Sequence, residues 1–458
     1  MAMTGLRETA ESIFRHSLAE CTVKRAFARS VAVSEGEEGR RLLIRGAAPI
    51  ELGRVKHIRV VAAGKASATM LDALLSYLEL RPHQDLKGIL IGDERPADLP
   101  LGFEFFQGGH PLPNEASFAG ARAVLEMLRG MREAKSVAAE MLCLFLISGG
   151  ASAMMELPLD PAISLADMVS FHRELVHSGA SIAEINCVRK HFSAVKGGRL
   201  GLAADGIENL SLFVSDVPAG HLDALASGPT IPDTSTVEQC RETLVRYDLL
   251  RRFPASVRRF FERADIPESP KPGEFVARAV TLLACDDLAE VARVRAEELG
   301  FHAVVDNSCD DWDYRAAAEY LVDRLRQLRA AHPRVCLISS GEVTVTLPAA
   351  DNKGEPFCGT GGRNQHLSLY AATLLDPSDG STVILSAGSD GVDGNSPAAG
   401  GVVDVQTLSS GEQMRAAARE ALRDFDSHTF LKRRGGSIVT GATGNNLRDL
   451  RILLAEQH

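Results

Sequence analysis

The sequence predicts an α/β protein of two lobes, in which parallel sheets are covered by helices. Its 458 residues are too many for one ordinary hydrophobic core, so two domains are expected. Short, almost continuously apolar runs alternate with helical stretches, which is the pattern of βαβ units. Run after run also ends directly in Gly, Ser or Asp, and ligands of open α/β sheets bind at those strand ends.

The elements follow this rhythm along the chain. The first helix is indicated by apolar residues that share one face: Leu6, Ala10, Ile13, Phe14 and Leu18. The runs that we interpret as strands are HIRVVAAG, GILIG, MLCLFLISGG, LSLFVSD, AVTLLACDD, HAVVD, RVCLISSGE, STVILSAGSDG and GSIVTGATG. Helical stretches between them include 66–79, 115–130, 286–299 and 314–330. Runs this apolar on both faces predict parallel sheets with helices on each side.

A stretch of different composition separates two groups of strands. It begins near residue 230 with PTIPDTST and includes the proline-rich and charged IPESPKPGEF. We therefore predict an N-terminal domain over 1–235, a connecting segment over 236–278 and a C-terminal α/β domain over 279–458. The last piece, 437–454, has the pattern of a strand that joins either domain.

Composition and charge exclude several function classes. A net charge of −10 argues against a general nucleic-acid binder, and the single tryptophan argues against stacking platforms for single strands. No apolar run approaches the about 18 residues that a membrane span needs, and the N-terminus lacks the apolar region of a secretory signal. We expect a cytoplasmic protein without a membrane partner. The eight cysteines contain no C-x-x-C pair, which favours reduced core residues over a zinc site.

Two glycine-containing turns after strands are candidate anion sites. In VVAAGKASATM, Lys65 follows a strand and a glycine and opens a helix, whose free N–H groups and dipole favour an anion. An ordinary solvated lysine is the alternative, and the turn is no Walker A loop. In FLISGGASAMMELP, the small residues Ser148, Gly149, Gly150 and Ser152 permit close approach of backbone N–H groups to a phosphate. A tight strand-to-helix turn needs the same residues for steric reasons alone.

Three further segments of the first lobe carry chemistry. INCVRKHFSAVKGGRL places Asn186, Arg189 and Lys190 on one face of a helix, a feasible anion-binding cluster, although a solvated basic surface is the usual explanation of such a run. Asp216 comes directly after the run LSLFVS, where a carboxylate can hold Mg²⁺ or accept a proton from a substrate hydroxyl. GGHPLPNEAS puts His110 in a rigid, exposed turn.

The second lobe supplies an arginine and several carboxylates. Glu342 follows RVCLISSG, and Arg363 stands beside Gly362 in CGTGGRNQHLSL. The segment GSDGVDGNSPAAGG brings Asp390 and Asp393 together at the end of an apolar run. Glycine turns, cations for phosphates and carboxylates for a metal are the combination that phosphoryl transfer requires. No G-x-S-x-G elbow points to a serine nucleophile.

The order of these motifs resembles that of the type II glycerate kinases, the family with a MOFRL C-terminal region. The matching segments are AAGKASATM, GGHPLPNEAS, LISGGASAMMELP, INCVRKHFSAVKGGRL, SDVPAGHLDALASGPTIPD, GTGGRNQHLSL, GSDGVDGNSPAAG and TGATGNNLRDL. They extend from about residue 60 to residue 452. Their shared order along nearly the whole chain is more specific than any single motif.

The resemblance implies a Rossmann-like α/β/α N-terminal lobe, a smaller α/β C-terminal lobe and an active site in the cleft between them. It implies Mg²⁺-dependent transfer of a phosphoryl group from ATP to D-glycerate or a similar hydroxy acid, by a monomer or homodimer. The expected product is 2-phosphoglycerate, with 3-phosphoglycerate left open. Lys65 and Arg363 match positions that stabilise charge on the transferred phosphoryl group.

The remaining site residues receive roles from the same resemblance. Asp216 would orient or deprotonate the glycerate hydroxyl or hold the metal, with Asp390 as a second candidate metal ligand. Arg189 and Lys190 would contact a carboxylate or phosphate. The glycines after residue 387 would let the backbone approach a ligand, while Asp390 or Asp393 hydrogen-bonds a hydroxyl or a metal-bound water. A structural Asx-turn loop is the alternative there.

The chain departs from the family pattern in polar loops, at Ala151, Ala219, Gly220, His221, Ser340, Ser396, Pro397 and Ala442. A methyl group at residue 151 is tolerable if the backbone φ there is negative. The missing acids at residues 220 and 221 would alter metal binding or substrate choice.

Two other functions stay open on the sequence. One is an NAD(P)-dependent reductase of hydroxypyruvate, although no strand is followed by G-x-G-x-x-G and a later acidic residue. The other is a binding protein that has lost catalysis through the loop changes.

Overall fold

The computed structural model describes residues 5–37, 39–78, 80–215, 222–347, 359–444 and 446–457. The chain forms two compact units. The first unit is Val23–Leu283, and the second unit combines Met1–Thr22 with Ala284–His458.

The secondary structure alternates between helices and strands, as predicted. The helices are α1 (Leu6–Glu20), α2 (Val23–Ser30), α3 (Ser67–Leu75), α4 (Glu115–Glu133), α5 (Ala151–Met154), α6 (Leu165–Val176), α7 (Ile182–Phe192), α8 (Arg199–Ala203), α9 (Val237–Arg246), α10 (Leu249–Arg252), α11 (Ala255–Phe261), α12 (Cys285–Glu298), α13 (Tyr314–Ala331), α14 (Arg363–Leu374), α15 (Glu412–Arg423) and α16 (Ser427–Arg433). The strands are β1 (Val31–Gly36), β2 (Gly39–Ile44), β3 (Ile50–Glu51), β4 (His57–Ala63), β5 (Asp85–Gly92), β6 (Phe103–Gln107), β7 (Met141–Ser148), β8 (Glu208–Ser215), β9 (Ala279–Ala284), β10 (His302–Val305), β11 (Arg334–Gly341), β12 (Ser381–Gly388), β13 (Gly400–Asp404), β14 (Ser437–Ile438) and β15 (Asp449–Glu456).

The main sheet of the first unit has the strand order β6-β5-β4-β7-β8-β9. Strand β4 pairs in parallel with both β5 and β7, and every residue of β7 is buried. This is the Rossmann-type order, in which the chain direction across the sheet reverses between β4 and β7. The predicted Rossmann-like sheet is confirmed. Its carboxyl edge at β4 and β7 is the place where such sheets bind ligands.

A small antiparallel sheet, β1-β2-β3, also belongs to the first unit. The sequence pattern did not indicate it, because its strands are short, charged and half-exposed.

The sheet of the second unit has the order β10-β11-β15-β12-β13-β14. Among the strands that the structure describes in this sheet, only the β10–β11 pair is parallel, and β15 runs antiparallel to both β11 and β12. The expectation of a parallel sheet is therefore wrong for this unit. The cause is burial: β15 lies in the middle of the sheet and is buried almost throughout, so its sequence is as apolar as that of a parallel strand.

The division of the chain differs from the predicted boundaries at helix α1 and at segment 236–278, and it places the segment 437–454, which the sequence left open. Helix α1 belongs to the second unit, where Arg7 pairs with Asp404 of β13. Segment 236–278 is no bare connection, because α9, α10 and α11 bury Phe253, Phe260 and Phe261 in a core of the first unit. The piece 437–454 joins the sheet of the second unit through β14 and β15.

Candidate active site

The turns after β4 and β7 interlock at the point where the strand order reverses. The Lys65 backbone N–H donates to the Gly149 carbonyl (2.9 Å), and the Ala66 N–H donates to Ser148 Oγ (3.0 Å). Gly64 has φ of +114°, and a Cβ there would lie 2.4 Å from Ser148 Oγ. Glycine is therefore required at residue 64, and the Ser148 hydroxyl is engaged in holding the two turns together.

Lys65, His110 and Gly150 surround one point at this edge. A Cβ on Gly150 would lie 3.2 Å from Lys65 Cγ and 3.3 Å from His110 Cδ2. Both side chains are exposed, which confirms the prediction for His110. Ala151 is buried at the start of α5 and is not among the described residues with positive φ, so its methyl group is tolerated. The edge thus presents a lysine for which no ion pair occurs among the described residues.

Ser227 connects Ser152 and Asn186 through hydrogen bonds. Ser152 Oγ lies 3.1 Å from Ser227 Oγ, which donates to Asn186 Oδ1 at 3.1 Å. Ala226 and Ser227 have φ of 52° and 58°, a left-handed conformation that side chains rarely adopt. Strain of this kind is held in place by its surroundings and concentrates at functional sites.

The basic cluster of α7 divides into two environments. Lys190 is buried and donates to Asp223 Oδ2 (2.9 Å) and Asp233 Oδ1 (3.1 Å), so its charge is already paired inside the unit. Arg189 is half-buried, and its Nε has no hydrogen-bond partner within the described part of the chain. Arg189 therefore keeps an Nε–H donor without a hydrogen-bond partner among the described residues. Lys190 could contact a ligand only if one of its two ion pairs were broken.

A buried charged cluster lies next to Arg189. Glu156 accepts hydrogen bonds from Ser193 (2.6 Å), His172 (3.1 Å) and the Lys196 ammonium. Burial opposes its charge, but Lys196 and His172 outweigh that effect and lower the pKa of Glu156 to about 2. One carboxylate thus faces two fixed cations, Lys196 and Arg189, and the cluster holds an excess of positive charge.

In the second unit, Arg363 is fixed by two carboxylates. Its Nε and Nη2 donate to Asp449 at 2.6 and 3.1 Å, and its Nη1 donates to Glu342 Oε2 at 2.8 Å. Asp449 is the first residue of β15 and pairs in register with Gly341 and Gly388, the last residues of the two flanking strands. The pKa of the arginine is raised, because these carboxylates outweigh its burial.

Asp393 caps helix α14. Its carboxylate is buried and accepts hydrogen bonds from the backbone N–H groups of Asn364 (3.0 Å) and Gln365 (2.8 Å). A Cβ on Gly362 would lie 2.3 Å from Asp393 Oδ1. The backbone of Gly362 therefore packs directly against the Asp393 carboxylate. Capping accounts for this aspartate, and its contact with substrate stays a prediction.

The predicted metal ligands are only in part described. Asp390 is exposed, and its Oδ1 accepts from the Val392 N–H (3.0 Å) in an Asx turn, which is the predicted structural alternative. Its contact with a metal or hydroxyl group stays a prediction. Asp216 lies outside the described residues, as do 219–221. Within the described ranges, no three His, Cys, Asp or Glu side chains gather as a metal site.

Two family models match the chain. Residues 9–262 match a domain of unknown function, DUF4147, and residues 335–449 match the MOFRL family. The D-glycerate 2-kinase of Thermotoga maritima is 35% identical over 86% of this chain and 89% of that protein. The glycerate 2-kinase of Pyrococcus horikoshii is 31% identical over 99% and 98%. The chain belongs to the glycerate kinase family.

Further similarities fit this family, with one difference in name. The crystal structure of a glycerate kinase from Thermotoga maritima superimposes with a TM-score of 0.79, at 31% identity, over 98% of this chain and 99% of that one. A relative from Agrobacterium vitis, 33% identical over 86% of each chain, carries the name putative hydroxypyruvate reductase. The comparisons identify an enzyme of the kinase class. Among the described residues, no helix is both long and apolar enough to cross a bilayer.

Asp449, the ion-pair partner of the predicted site residue Arg363, is not among the residues that the sequence pattern indicates. It stands in NNLRDL, before an apolar run, whereas the predicted carboxylates Asp216, Glu342 and Asp390 follow such runs. In an antiparallel arrangement the start of one strand shares an edge with the ends of its neighbours. The pairing of Lys196, a basic residue of INCVRKHFSAVKGGRL, with Glu156 is not predicted either, because it joins segments 40 residues apart.

Proposed function

We propose that this chain transfers the γ-phosphoryl group of ATP to D-glycerate, with Mg²⁺ as the metal, and forms 2-phosphoglycerate. The observation that carries the proposal is the exposed Lys65 at the reversal point of a Rossmann-type sheet, beside Gly149 and Gly150. A cation and a glycine turn at this place suit the phosphates of a nucleotide. The names of the two kinase relatives support glycerate as the acceptor.

The first unit contributes fixed positive charge in this proposal. The Lys65 ammonium neutralises charge that spreads over the transferred phosphoryl group, which is the principal demand of phosphoryl transfer. Arg189, backed by the net positive cluster around Glu156, binds an anionic group, either the glycerate carboxylate or a phosphate. His110, close to Lys65, is a hydrogen-bond partner for the same anion.

The second unit contributes an oriented guanidinium. Two hydrogen bonds to Asp449 and one to Glu342 leave Arg363 little rotational freedom, so its position is set before substrate binds. We assign it to stabilising the transferred group, and we keep Asp216 as the base or metal ligand on the sequence resemblance alone.

The described residues can supply part of the ligand set of a Mg²⁺ ion. Mg²⁺ in kinases is held by one or two carboxylates, with substrate phosphates and waters as its other ligands. Exposed Asp390 can supply one such carboxylate, and Asp216 would supply another. When bound, the metal would neutralise phosphate charge, and the protein would hold the phosphates and the hydroxy acid in line.

A coupled assay of ADP release tests the proposal. ATP, Mg²⁺ and D-glycerate should give turnover that stops on adding excess EDTA and returns with Mg²⁺. Omission of D-glycerate should leave only slow background hydrolysis. Turnover that does not depend on D-glycerate would contradict the proposal.

The name of the Agrobacterium vitis relative supports a second candidate, NAD(P)H-dependent reduction of hydroxypyruvate. Loss of NADH or NADPH absorbance on adding hydroxypyruvate would favour it over the kinase. A third candidate, a protein that binds without turnover, predicts calorimetric binding of ATP or D-glycerate with no ADP formed by the same preparation.

A further inference from the structure

Arg451 is a fully buried charge in a central strand of the second unit. It is 0% exposed and is the third residue of β15, where it pairs in register with Ser339 of β11 and Ser386 of β12. Farther along the same face of the strand, Leu453 and Ala455 lie in a hydrophobic core. Arginine is almost never fully buried unless it is paired, so packing alone does not account for this residue.

Two donor groups of Arg451 are unsatisfied. Its Nε and Nη1 have no hydrogen-bond partner within the described residues, and its Nη2 donates to the carbonyl oxygen of Gly341 at 3.2 Å. The guanidinium stays charged in proteins, and buried donors that lack acceptors are unfavourable. Hydrogen bonding therefore gives no sufficient reason for an arginine at this position.

The contact with Gly341 places the guanidinium beside Asp449. Gly341 pairs in register with Asp449 on the neighbouring strand. Asp449 and Arg451 are two residues apart on β15, so their side chains project from the same face of the sheet. The arginine side chain therefore extends along the strand towards Asp449. Burial lowers the pKa of Arg451, while the nearby Cys309, Asp449 and Asp310 oppose that effect.

The ion pairs of Arg363 hold one negative charge in excess. Asp449 and Glu342 both accept hydrogen bonds from Arg363, so two carboxylates surround one guanidinium. A group with a negative excess would repel a phosphoryl group, which is itself negative. The charge of Arg451 makes the group neutral, and a charge in the protein interior is only weakly screened by salt.

A neighbouring ion pair is balanced by itself. Asp310 accepts from the two terminal nitrogens of Arg448 at 2.6 and 2.7 Å, and it also accepts from the Glu342 backbone N–H at 2.9 Å. Because Arg448 matches the charge of Asp310, this pair neither adds to the excess nor removes it. Arg451 is therefore left to balance the carboxylates of Asp449 and Glu342.

We propose that Arg451 is a positioning residue whose buried charge balances the two carboxylates that hold Arg363, so that Arg363 can stabilise a negative phosphoryl group. The inference rests on the proposed function, which assigns Arg363 to the transferred group. Arg451 itself touches no substrate and acts through Asp449. Its charge serves the site, and its unsatisfied donors are the cost to the fold.

Two substitutions at residue 451 separate the charge from the hydrogen bond. Arg451→Gln keeps a donor without the charge. We expect its kcat to fall about tenfold or more, the scale of supporting contacts at active sites, while the KM for D-glycerate changes by less than about threefold. Arg451→Lys should recover most of the rate, because it restores the charge. Folded Arg451→Gln with the kcat of the wild type would overturn the proposal.

The lysine variant also decides the question on its own if Arg451→Gln does not fold. A kcat of Arg451→Lys close to that of the wild type supports the role of the charge. A loss of about tenfold or more in folded Arg451→Lys contradicts it, because the charge is still present.

A second substitution that restores the charge balance gives an independent test. In Arg451→Gln/Glu342→Gln, one carboxylate remains for one guanidinium. We expect its kcat to exceed that of Arg451→Gln by about threefold or more, whereas independent roles would make the two losses add. Arg451→Gln/Glu420→Gln, with its second change at an exposed residue of α15, is the matched control and should show no recovery. Additive losses in the first double variant would contradict the proposal.

Urea unfolding of the same variants requires no turnover. The shift of the urea midpoint caused by Arg451→Gln should be less unfavourable in the Glu342→Gln chain than in the wild-type chain, since the two charges interact. If unfolding shows this coupling but D-glycerate releases no ADP, the charge balance stands and the proposed acceptor is wrong. If D-glycerate is phosphorylated but Arg451→Gln neither loses rate nor shows the coupling, the kinase stands and this inference is wrong.

Discussion

Arg363 and Asp449 form a bidentate ion pair between the first residue of a helix and the first residue of a central strand. Asp449 is almost fully buried, while Arg363 is about one-third exposed. The strand fixes the carboxylate, the carboxylate fixes the guanidinium, and the remaining Nη1 is held by Glu342. The arginine is therefore an oriented group rather than a mobile surface cation.

Removing the carboxylate should release the arginine. In Asp449→Asn, Arg363 loses its paired charge and one acceptor oxygen, so we expect kcat to fall by about ten- to one-hundredfold, the scale of disturbed supporting contacts at active sites. Glu342→Gln, which removes only one hydrogen bond, should lose less. Steady-state kinetics on folded variants, checked by circular dichroism, measure this. Equal activity of Asp449→Asn and wild type would contradict the orienting role.

Lys65 should contribute mainly to the chemical step. We expect Lys65→Ala to lower kcat by about 10² to 10³, the cost of removing one charge-stabilising group, with little change in thermal stability because the side chain is exposed. Lys65→Arg should recover part of the rate. Lys87→Ala, at another exposed lysine of the first unit, is the matched control and should behave as wild type. A Lys65→Ala enzyme of full activity would exclude the assigned role.

Gly150 should tolerate no side chain. Its φ of +84° costs alanine about 1–2 kcal/mol, and the new Cβ would press on Lys65 and His110. We expect Gly150→Ala to lower both the free energy of unfolding and kcat/KM. Gly130→Ala on α4 is the control: a Cβ there meets nothing within 4 Å, and alanine should stabilise the helix. Urea unfolding of both variants measures the change in the free energy of unfolding. A Gly150→Ala enzyme with the stability and kcat/KM of the wild type would disprove the close packing.

Glu156 should make the stability depend on acid pH. Its pKa in the folded chain is held at about 2, below the ordinary 4.5, so its ionised form contributes stability above pH 4.5. That contribution, about 3 kcal/mol, is lost as the pH falls from 4.5 towards 2. In Glu156→Gln the unfolding free energy should be lower at pH 6 and fall less steeply below pH 4.5.

The control for this prediction is Glu126→Gln on the exposed face of α4. Its pH profile should follow that of the wild type. Parallel profiles for wild type and Glu156→Gln between pH 6 and pH 3 would show that the buried cluster contributes no stability of this kind.

Local pattern was sufficient for the groups that follow parallel strands. The sequence predicts Lys65 and the glycines after β7 at the sheet edge, because apolar runs ending in small or polar residues mark the ligand-binding edge of a Rossmann-type sheet. The same pattern could not reveal Asp449, since an aspartate before an apolar run marks the same edge only if that strand is antiparallel. Strand direction depends on pairing with distant segments, which no local window contains.

Long-range packing explains the other differences from the prediction. The apolar face of α1 is visible in the sequence, but its association with the C-terminal half depends on the Arg7–Asp404 ion pair, 397 positions apart, and on the burial of Ile13 and Phe14. Arg189 and Lys190 are neighbours in the sequence, yet one lies beside Glu156 and the other between two aspartates. Tertiary contacts therefore decide which of the two basic residues keeps a donor without a hydrogen-bond partner among the described residues.

Phosphorus NMR of one reaction tests the central claim most directly. Wild-type protein is incubated with ATP, Mg²⁺ and D-glycerate, and the spectrum is followed against authentic phosphoglycerates. We predict growth of the 2-phosphoglycerate signal in step with ADP, and none with Lys65→Ala on the same timescale. No phosphoglycerate signal from folded wild-type protein would contradict the account, and a 3-phosphoglycerate signal would contradict the assigned product.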